Sequence, residues 1–439
     1  MRRLLVLPVL LFVPALCWGQ DELSLDQAIA LALKGNRVVR AAQLEVMKAD
    51  DQVSVARTYR LPQFNFRLYE IQLLARSNFL FPGGVFGVFP PIGSIPPVNT
   101  PVNIARRPAS IVFFQANQPI SQLGRIKLGV QLQELASQIA KEKLRSEENN
   151  LTSQVKTAYY NLLQTQSALE ATEEALKLFR ELNRVAGEGL SQQVILKSDV
   201  LEAQAGMAKT ELDAVMLRNT GATLKERING LLARDLNTDF KVRGALDPSE
   251  WELDMTAARA RALEQRPELR EAKLKAQQAE KDYRMKKREY IPDISLTFNY
   301  LSPFNVDVVP KNLTGAGFAV SWDVFDFGRR KHELAAKSRT IEQAGAAVDE
   351  TSAQILVDVG NRFRKFQEAR QQLRVTSLAR DVAQEKVRVG LDRYQQKAVL
   401  LKDVLQLQTS LAESRYKYQE SLLAFWSARA ELEKAMGER

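Results

Sequence analysis

The chain is written twice. ALKGNRVVRAAQL (Ala32–Leu44) is answered by ALEQRPELREAKL (Ala262–Leu274), and YRLPQFNF (Tyr59–Phe66) by EYIPDISL (Glu289–Leu296), so that Pro62 and Pro292 stand 230 positions apart. Farther along, Gly124 answers to Gly328 and Asp199 to Asp403 at a spacing of 204. A duplication on this scale restricts the fold to two copies of one plan, and it has to be recognised before any single element is interpreted. The change in spacing places a surplus of 26 residues in the first copy, between Pro62 and Gly124.

That surplus falls in ARSNFLFPGGVFGVFPPIGSIPPVNTPVNIARRP (Ala75–Pro108), which holds seven of the sixteen prolines. Proline at this density excludes helix and paired strand through most of the segment, so residues 75–108 read as a long loop. The flanking residues change period. Phe64, Phe66 and Leu68 alternate with Asn65, Arg67 and Tyr69, and Ile294, Leu296, Phe298 and Tyr300 alternate with Asp293, Ser295, Thr297 and Asn299. Phe318, Val320, Trp322 and Val324 do the same against Ala319, Ser321 and Asp323, and Ile111–Gln118 is a less regular fourth case. The spacing predicts two strands per copy, near 62–72 and 109–120 and near 292–302 and 316–326.

The remainder is helical in period. Gly129 to Gly187 encloses neither glycine nor proline, and its leucines keep three-four spacing, which predicts a helix of roughly 85 Å. Lys331–Val389 repeats it, Ser191–Leu232 and Leu400–Met436 are returning helices, and Leu25–Arg57 and Met255–Arg288 precede the strands. The domain plan is therefore a first repeat over 20–240, a connection over 241–254 and a second repeat over 255–439.

MRRLLVLPVLLFVPALCWGQ carries two arginines, an apolar run and a small-x-small site, and reads as a signal peptide over 1–19 with the mature chain starting near Gln20. Cys17 as a lipidated terminus is the alternative, although Pro14 and Leu16 suit a lipobox poorly. With 45% hydrophobic and 26% charged residues the chain is a folded one, yet no later segment supplies the ~20 continuous apolar residues of a membrane-spanning helix. An exported chain of this kind is soluble or crosses a membrane as strands, and four strands are too few for a barrel of one copy. The net charge of +10 is spread over helices of mixed sign, which argues against nucleic acid as a partner.

Chemistry is poorly provided for. His332 is the single histidine and Cys17 the single cysteine, so no catalytic residue, metal site or cofactor is expected and the chain is not expected to be an enzyme.

LSLDQAIALALKGN, RPEL (Arg266–Leu269), YIPDISLTFNY, WDVFDFGRR and the closing RYKYQESLLAFWSARAELEKAMG, in this order, resemble the TolC-like outer-membrane efflux proteins from Leu23 to Gly437. The resemblance implies a mainly α fold with a membrane β-barrel. Each repeat supplies a strand pair and a long helical hairpin, and three chains form a twelve-stranded barrel continued by a periplasmic α-helical barrel. It implies a homotrimer in the outer membrane, in contact with its lipid, partnered by a periplasmic adaptor and an inner-membrane pump, with 75–108 extracellular. It also places residues. Gly124 and Arg125, in QPISQLGRIK, and Gly328 and Arg329, in WDVFDFGRRK, stand where a strand bends into a helix. Asp403 matches a pore-constricting aspartate, with Gln406 where a second is often found and Asp199 as the first-repeat counterpart. Gly189, Leu190 and Ser191, with Val389, Gly390 and Leu391, are the adaptor-docking tips at the hairpin turns. Helix-start capping is the alternative role for Asp199 and Asp403. The function the resemblance implies is a passive exit duct of a multi-component efflux or type I secretion system, opened by the adaptor and the pump. An exported periplasmic coiled-coil scaffold or adaptor without a pore is the alternative, and it leaves the outward Phe318, Val320 and Trp322 unexplained.

Overall fold

The computed structural model describes residues 22–72, 74, 77–104, 108–193, 196–243, 253–305, 310–396 and 398–438. The expected signal peptide, with Cys17 and Gln20, lies outside the described residues, as do 244–252 of the connection. In chain order the elements are β1 (Glu22–Leu23), α1 (Leu25–Gly35), α2 (Arg37–Thr58), β2 (Gln63–Gln72), β3 (Ser77–Phe81), β4 (Val88–Phe89), β5 (Gly93–Ser94), β6 (Thr100–Ile104), β7 (Pro108–Pro119), α3 (Leu123–Ser191), α4 (Lys197–Leu231), β8 (Lys241–Val242), α5 (Met255–Gln265), α6 (Pro267–Lys287), β9 (Asp293–Phe304), β10 (Leu313–Ser321), α7 (Arg329–Gln395) and α8 (Leu401–Ala435). They divide between a sheet-bearing unit, residues 45–140 and 271–348, and a helical unit built from the rest.

In the sheet-bearing unit the order is β10-β9-β7-β2, antiparallel throughout, so one hairpin strand from each repeat meets the other at the centre. The register sorts the two faces. Phe64, Ala116, Phe298 and Ala316 form one cross-strand row, and Phe66, Phe114, Tyr300 and Thr314 the next. Phe114 touches Phe64 and Phe298 with ring centroids 6.2 and 6.4 Å away. Because side chains alternate, the intervening rows point the other way. They are Asn65, Gln115, Asn299 and Gly315, then Gln63, Asn117, Thr297 and Gly317. Over these rows one face is an aromatic and aliphatic band and the other a band rich in carboxamides, which gives way farther along to Arg67, Phe113, Leu301 and Leu313. Both outer strands are exposed along their whole length.

Three expectations need correction here. The last strand ends at Ser321, not near 326, although the apolar alternation runs on through Trp322 and Val324. Asp323 and Asp326 lie on arginines of α7, at 3.0 Å from Arg330 and 3.4 Å from Arg330 respectively, which draws the backbone off the ladder. Residues 75–108 contain pairing after all: β3 with β6 and β4 with β5. Pro82, Pro90, Pro91, Pro96 and Pro97 fall outside these ladders, and Pro101 is tolerated because β6 is paired on one side only. The long pre-strand helices are each broken once. Asn36 ends α1 and its Oδ1 accepts the Val38 N–H at 2.9 Å, while Pro267 opens α6 and holds Arg266 extended.

The glycine-free run is realised within α3, 69 residues long, which from residue 141 onward belongs to the helical unit. Its core places Val155, Leu162, Ile228 and Phe240 out of solvent altogether, each worth roughly 1.5–3 kcal/mol of apolar burial. Tyr159 closes this core: its one hydroxyl proton faces the carbonyls of Leu23 (2.8 Å) and Arg243 (2.6 Å), and its oxygen accepts the Arg243 N–H at 3.2 Å, locking the β1–β8 pair to the helices. The connection at 241–254 therefore begins with a strand. Burial raises the Tyr159 pKa, so the donor stays protonated.

Candidate functional site

Two strand-to-helix junctions and two helical tips carry the candidate residues. At the first junction β7 ends at Pro119 and α3 begins four residues later. Ser121 fastens it to the neighbouring strand, donating to the Pro292 carbonyl at 2.7 Å and accepting the Ile294 N–H at 2.8 Å. Arg125 pairs with Asp293 at 2.9 Å, and the Gln122 amide reaches the Ser295 hydroxyl at 3.3 Å. Gly124 does not bend the chain. It is the second residue of α3, and the Arg288 guanidinium occupies the place its side chain would take.

The second junction is longer and uses its glycine differently. Phe327 and Gly328 are both left-handed, with φ of 55° and 85°. That conformation suits Gly328 and costs Phe327 of order 1 kcal/mol. Asp326 caps α7, accepting the N–H groups of Gly328 (3.1 Å) and Arg330 (3.2 Å). Arg329 reaches Asp323 and Glu333, each at 3.5 Å. Lys286 of α6 ties in by bridging Glu289 (2.7 Å) and Glu333 (2.8 Å). Asp293, Asp323, Asp326 and Lys286 were missed as junction residues in the sequence. The signal was available in the DVFD run preceding Gly328, where Asp326 stands two positions ahead of a helix start.

The tips depart from expectation in one respect. Gly189, Leu190 and Ser191 are the last three residues of α3, and the chain reverses after them, where Gln193 is left-handed at φ 60°. Val389, Gly390 and Leu391 sit inside α7, which continues to Gln395, so they are helical and not turn residues. Gly390 is buried there, and a Cβ would meet Leu407 Cδ1 of α8 at 2.5 Å; glycine lets the two helices approach. Asp199 and Asp403 hold the same third position of α4 and α8. The Asp403 carboxylate accepts the Leu400 N–H at 3.1 Å, as an acid in a first helical turn does, while Asp199 accepts the neighbouring Ser198 hydroxyl at 3.3 Å.

The fold brings several of these residues together. Val389, Gly390 and Asp403 line one cavity of about 320 Å³ with Glu385, Lys386 and Arg393. Gln406 is exposed on α8 just beyond it. Leu405 joins the core of the other tip, where Phe179, Ala186, Val200 and Ala203 are buried with it, so the two hairpin ends are packed as one.

The described residues contain no cluster of three metal-ligating side chains and no helix long and apolar enough to cross a membrane. The apolar band of the sheet is the surface that matches lipid.

The same architecture recurs in solved structures. The chain superposes on CusC, from a study of its folding and transmembrane channel formation, with a TM-score of 0.76 at 17% identity, covering 96% of this chain and 93% of that one. For the CmeC outer membrane channel of Campylobacter jejuni the TM-score is 0.74 at 15% identity, with 99% and 94% covered. For the open state of the MtrE outer membrane channel of Neisseria gonorrhoeae it is 0.75 at 16%, with 94% and 89% covered. No curated protein sequence matches the chain. The family model described as outer membrane efflux protein matches twice, over residues 28–234 and 258–438, once for each repeat. The chain belongs to the outer membrane efflux protein family, and its place is the outer membrane, as an exit duct of an efflux system.

Proposed function

We propose that three copies join β2 of one to β10 of the next, closing a twelve-stranded barrel through which cargo leaves, and that the duct is passive. The observation that carries this reading is the pair of free edges on a four-stranded sheet with an apolar face. A sheet edge in hydrocarbon leaves each unpaired backbone group unsatisfied at a cost of several kcal/mol, and only closure removes it. Four strands cannot close, and rotation of identical copies about one axis supplies the missing ones. The carboxamide rows then line the lumen and the aromatic rows meet lipid. No step of bond making is assigned to any residue.

The helical tips are read as the point of engagement for a periplasmic adaptor, with an inner-membrane pump as the energy source. Support comes from the cavity that gathers Val389, Gly390 and Asp403, and from the family to which the chain belongs. Asp403 and Asp199, brought together threefold, would constrict the duct by concentrating negative potential.

Cysteine cross-linking tests the assembly. Single cysteines at Gln63, Asn65 or Arg67 in β2 are combined with one at Gly315, Gly317 or Ala319 in β10 and bridged by a short thiol reagent. One pairing is expected to give a ladder that stops at three chains. A ladder that stops at two, or no ladder from any combination, overturns the closed trimer.

A further inference from the structure

We infer that a basic cavity between α3 and α6, just outside the sheet, holds the phosphate of an anionic phospholipid headgroup from the periplasmic leaflet. This rests on the reading that the sheet lies in the outer membrane. The cavity has a volume of about 640 Å³, and its polar rim is supplied by Lys127, Lys281, Arg284, Lys287 and Arg288, with no carboxylate among the lining residues. Arg284 has Glu280 at 3.9 Å, both side chains being more than half exposed. For Lys127, Lys281, Lys287 and Arg288 no carboxylate lies within ion-pair distance among the described residues.

The arrangement is unfavourable without an anion. The Arg288 guanidinium lies against Gly124, over the first turn of α3, where free backbone N–H groups and the helix dipole are already positive. A guanidinium, a helix N-terminus and four further cations repel one another, and a phosphate oxygen can accept from several of them at once.

Its position selects the ligand. Gln122 and Arg125 reach Ser295 and Asp293, on the carboxamide side of the sheet. At 100° per residue Gly124, Lys127, Leu128 and Gln131 fall on the far side of α3, so the cavity opens on the side that carries Leu296 and Phe298. Ile291, half exposed, closes the end nearest the sheet. From Lys281 to Arg288 the cations extend over about 10 Å of helix, comparable with a headgroup layer of roughly 5–8 Å per leaflet. Both α3 and α6 lead to the central strands β7 and β9, away from the edges that another copy would use.

Duplication does not explain the cluster. The first-repeat counterparts of Lys281, Arg284, Lys287 and Arg288, 230 positions earlier, are Asp51, Ser54, Arg57 and Thr58. Of these only Arg57 is cationic, and it is spent on Glu134 at 2.9 Å.

The test is native mass spectrometry of the detergent-purified full chain with phosphatidylglycerol, with phosphatidylcholine and inorganic phosphate as separate probes. The triple variant Lys127→Gln, Lys281→Gln, Arg284→Gln is compared with wild type and with the lysine-to-arginine double variant Lys127→Arg, Lys281→Arg. Wild type is expected to retain phosphatidylglycerol in preference to phosphatidylcholine, the arginine variant to match it, and the triple variant to bind it on the order of a hundredfold more weakly at low salt. Equal retention by the triple variant overturns the proposal. Inorganic phosphate that binds where phosphatidylglycerol cannot displace it overturns the lipid assignment in favour of a free anion. Flotation with phosphatidylcholine vesicles separates the two levels: a wild type that floats while the triple variant keeps its lipid defeats the cavity alone, whereas a wild type that does not float defeats the membrane reading beneath it.

Discussion

The two strand-to-helix junctions descend from one plan and hold together by different means. At the first, a central strand passes into α3 within four residues, and the turn is fastened from outside, by Ser121 and Arg125 reaching the start of β9. At the second, an edge strand leaves the ladder early and the turn is fastened from within, by Asp326 capping α7 and by left-handed Phe327 and Gly328. A central strand has neighbours on both sides to lean on, and an edge strand has to carry its own cap. Residues that align in sequence, Gly124 and Gly328 above all, therefore do different work.

The largest effect is expected of Asp326→Ala, at the second junction. It removes the acceptor of two N–H groups and leaves Arg330, only 12% exposed, without one of its two carboxylates. A loss of about 2–3 kcal/mol is expected in unfolding followed by circular dichroism, whereas Asp326→Asn should recover most of the capping part. Ser121→Ala tests the other junction: it deprives the Pro292 carbonyl and the Ile294 N–H of their partner and is expected to cost about 1–2 kcal/mol.

Gly328→Ala should cost about 1 kcal/mol, since alanine resists a φ of 85°. Gly124→Ala is the matched control, expected to change stability by less than about 0.5 kcal/mol. The gain in helix propensity there is set against displacing the flexible end of Arg288. Equal effects at the two glycines would mean that both bend the chain, contrary to the contrast drawn here.

The smallest effect is expected on acidification. The hydrogen bond from Lys286 holds the Glu333 carboxyl below the usual carboxylate range, and hydrogen bonds to Glu289 and then Glu333 raise Lys286. A depressed acid contributes fully above its ordinary pKa near 4.3, and that contribution is lost as pH falls through the folded value. The raised amine contributes fully below about 10.4, and its share is lost as pH rises through its own folded value. The melting difference between wild type and Glu333→Gln should accordingly be level around neutrality and shrink below about pH 4. A difference that grows on acidification would show that the bridge is not what holds α6 to α7.

Much of this was legible in the sequence, and the reasons are physical. Alternating Phe64, Phe66 and Leu68 could be read because one face of β2 is apolar over these residues, and the glycine-free run because nothing in it competes with helix. Trp322 and Val324 misled because alternation reports which side a residue takes, while pairing depends on where Asp323 and Asp326 are drawn. Val389–Leu391 misled because a glycine was taken to mark a turn, and Gly390 instead marks a close approach to Leu407. The carboxamide rows were half visible. Asn65 and Asn299 stood out, but only the register places Gln115 between them. The basic run before β9 was counted only within the net charge spread over the helices, since sequence alone does not say that Lys127, in a different helix, completes the cavity.

The central claim is that the carboxamide face lines a water-filled lumen. Its most direct test is the reversal potential of single channels in a planar bilayer under a salt gradient, for wild type and Asn299→Lys. Discrete conductance steps whose reversal potential moves toward anion selectivity in the variant are predicted. Steps with an unchanged reversal potential, or a correctly folded protein that inserts and never conducts, would contradict the account.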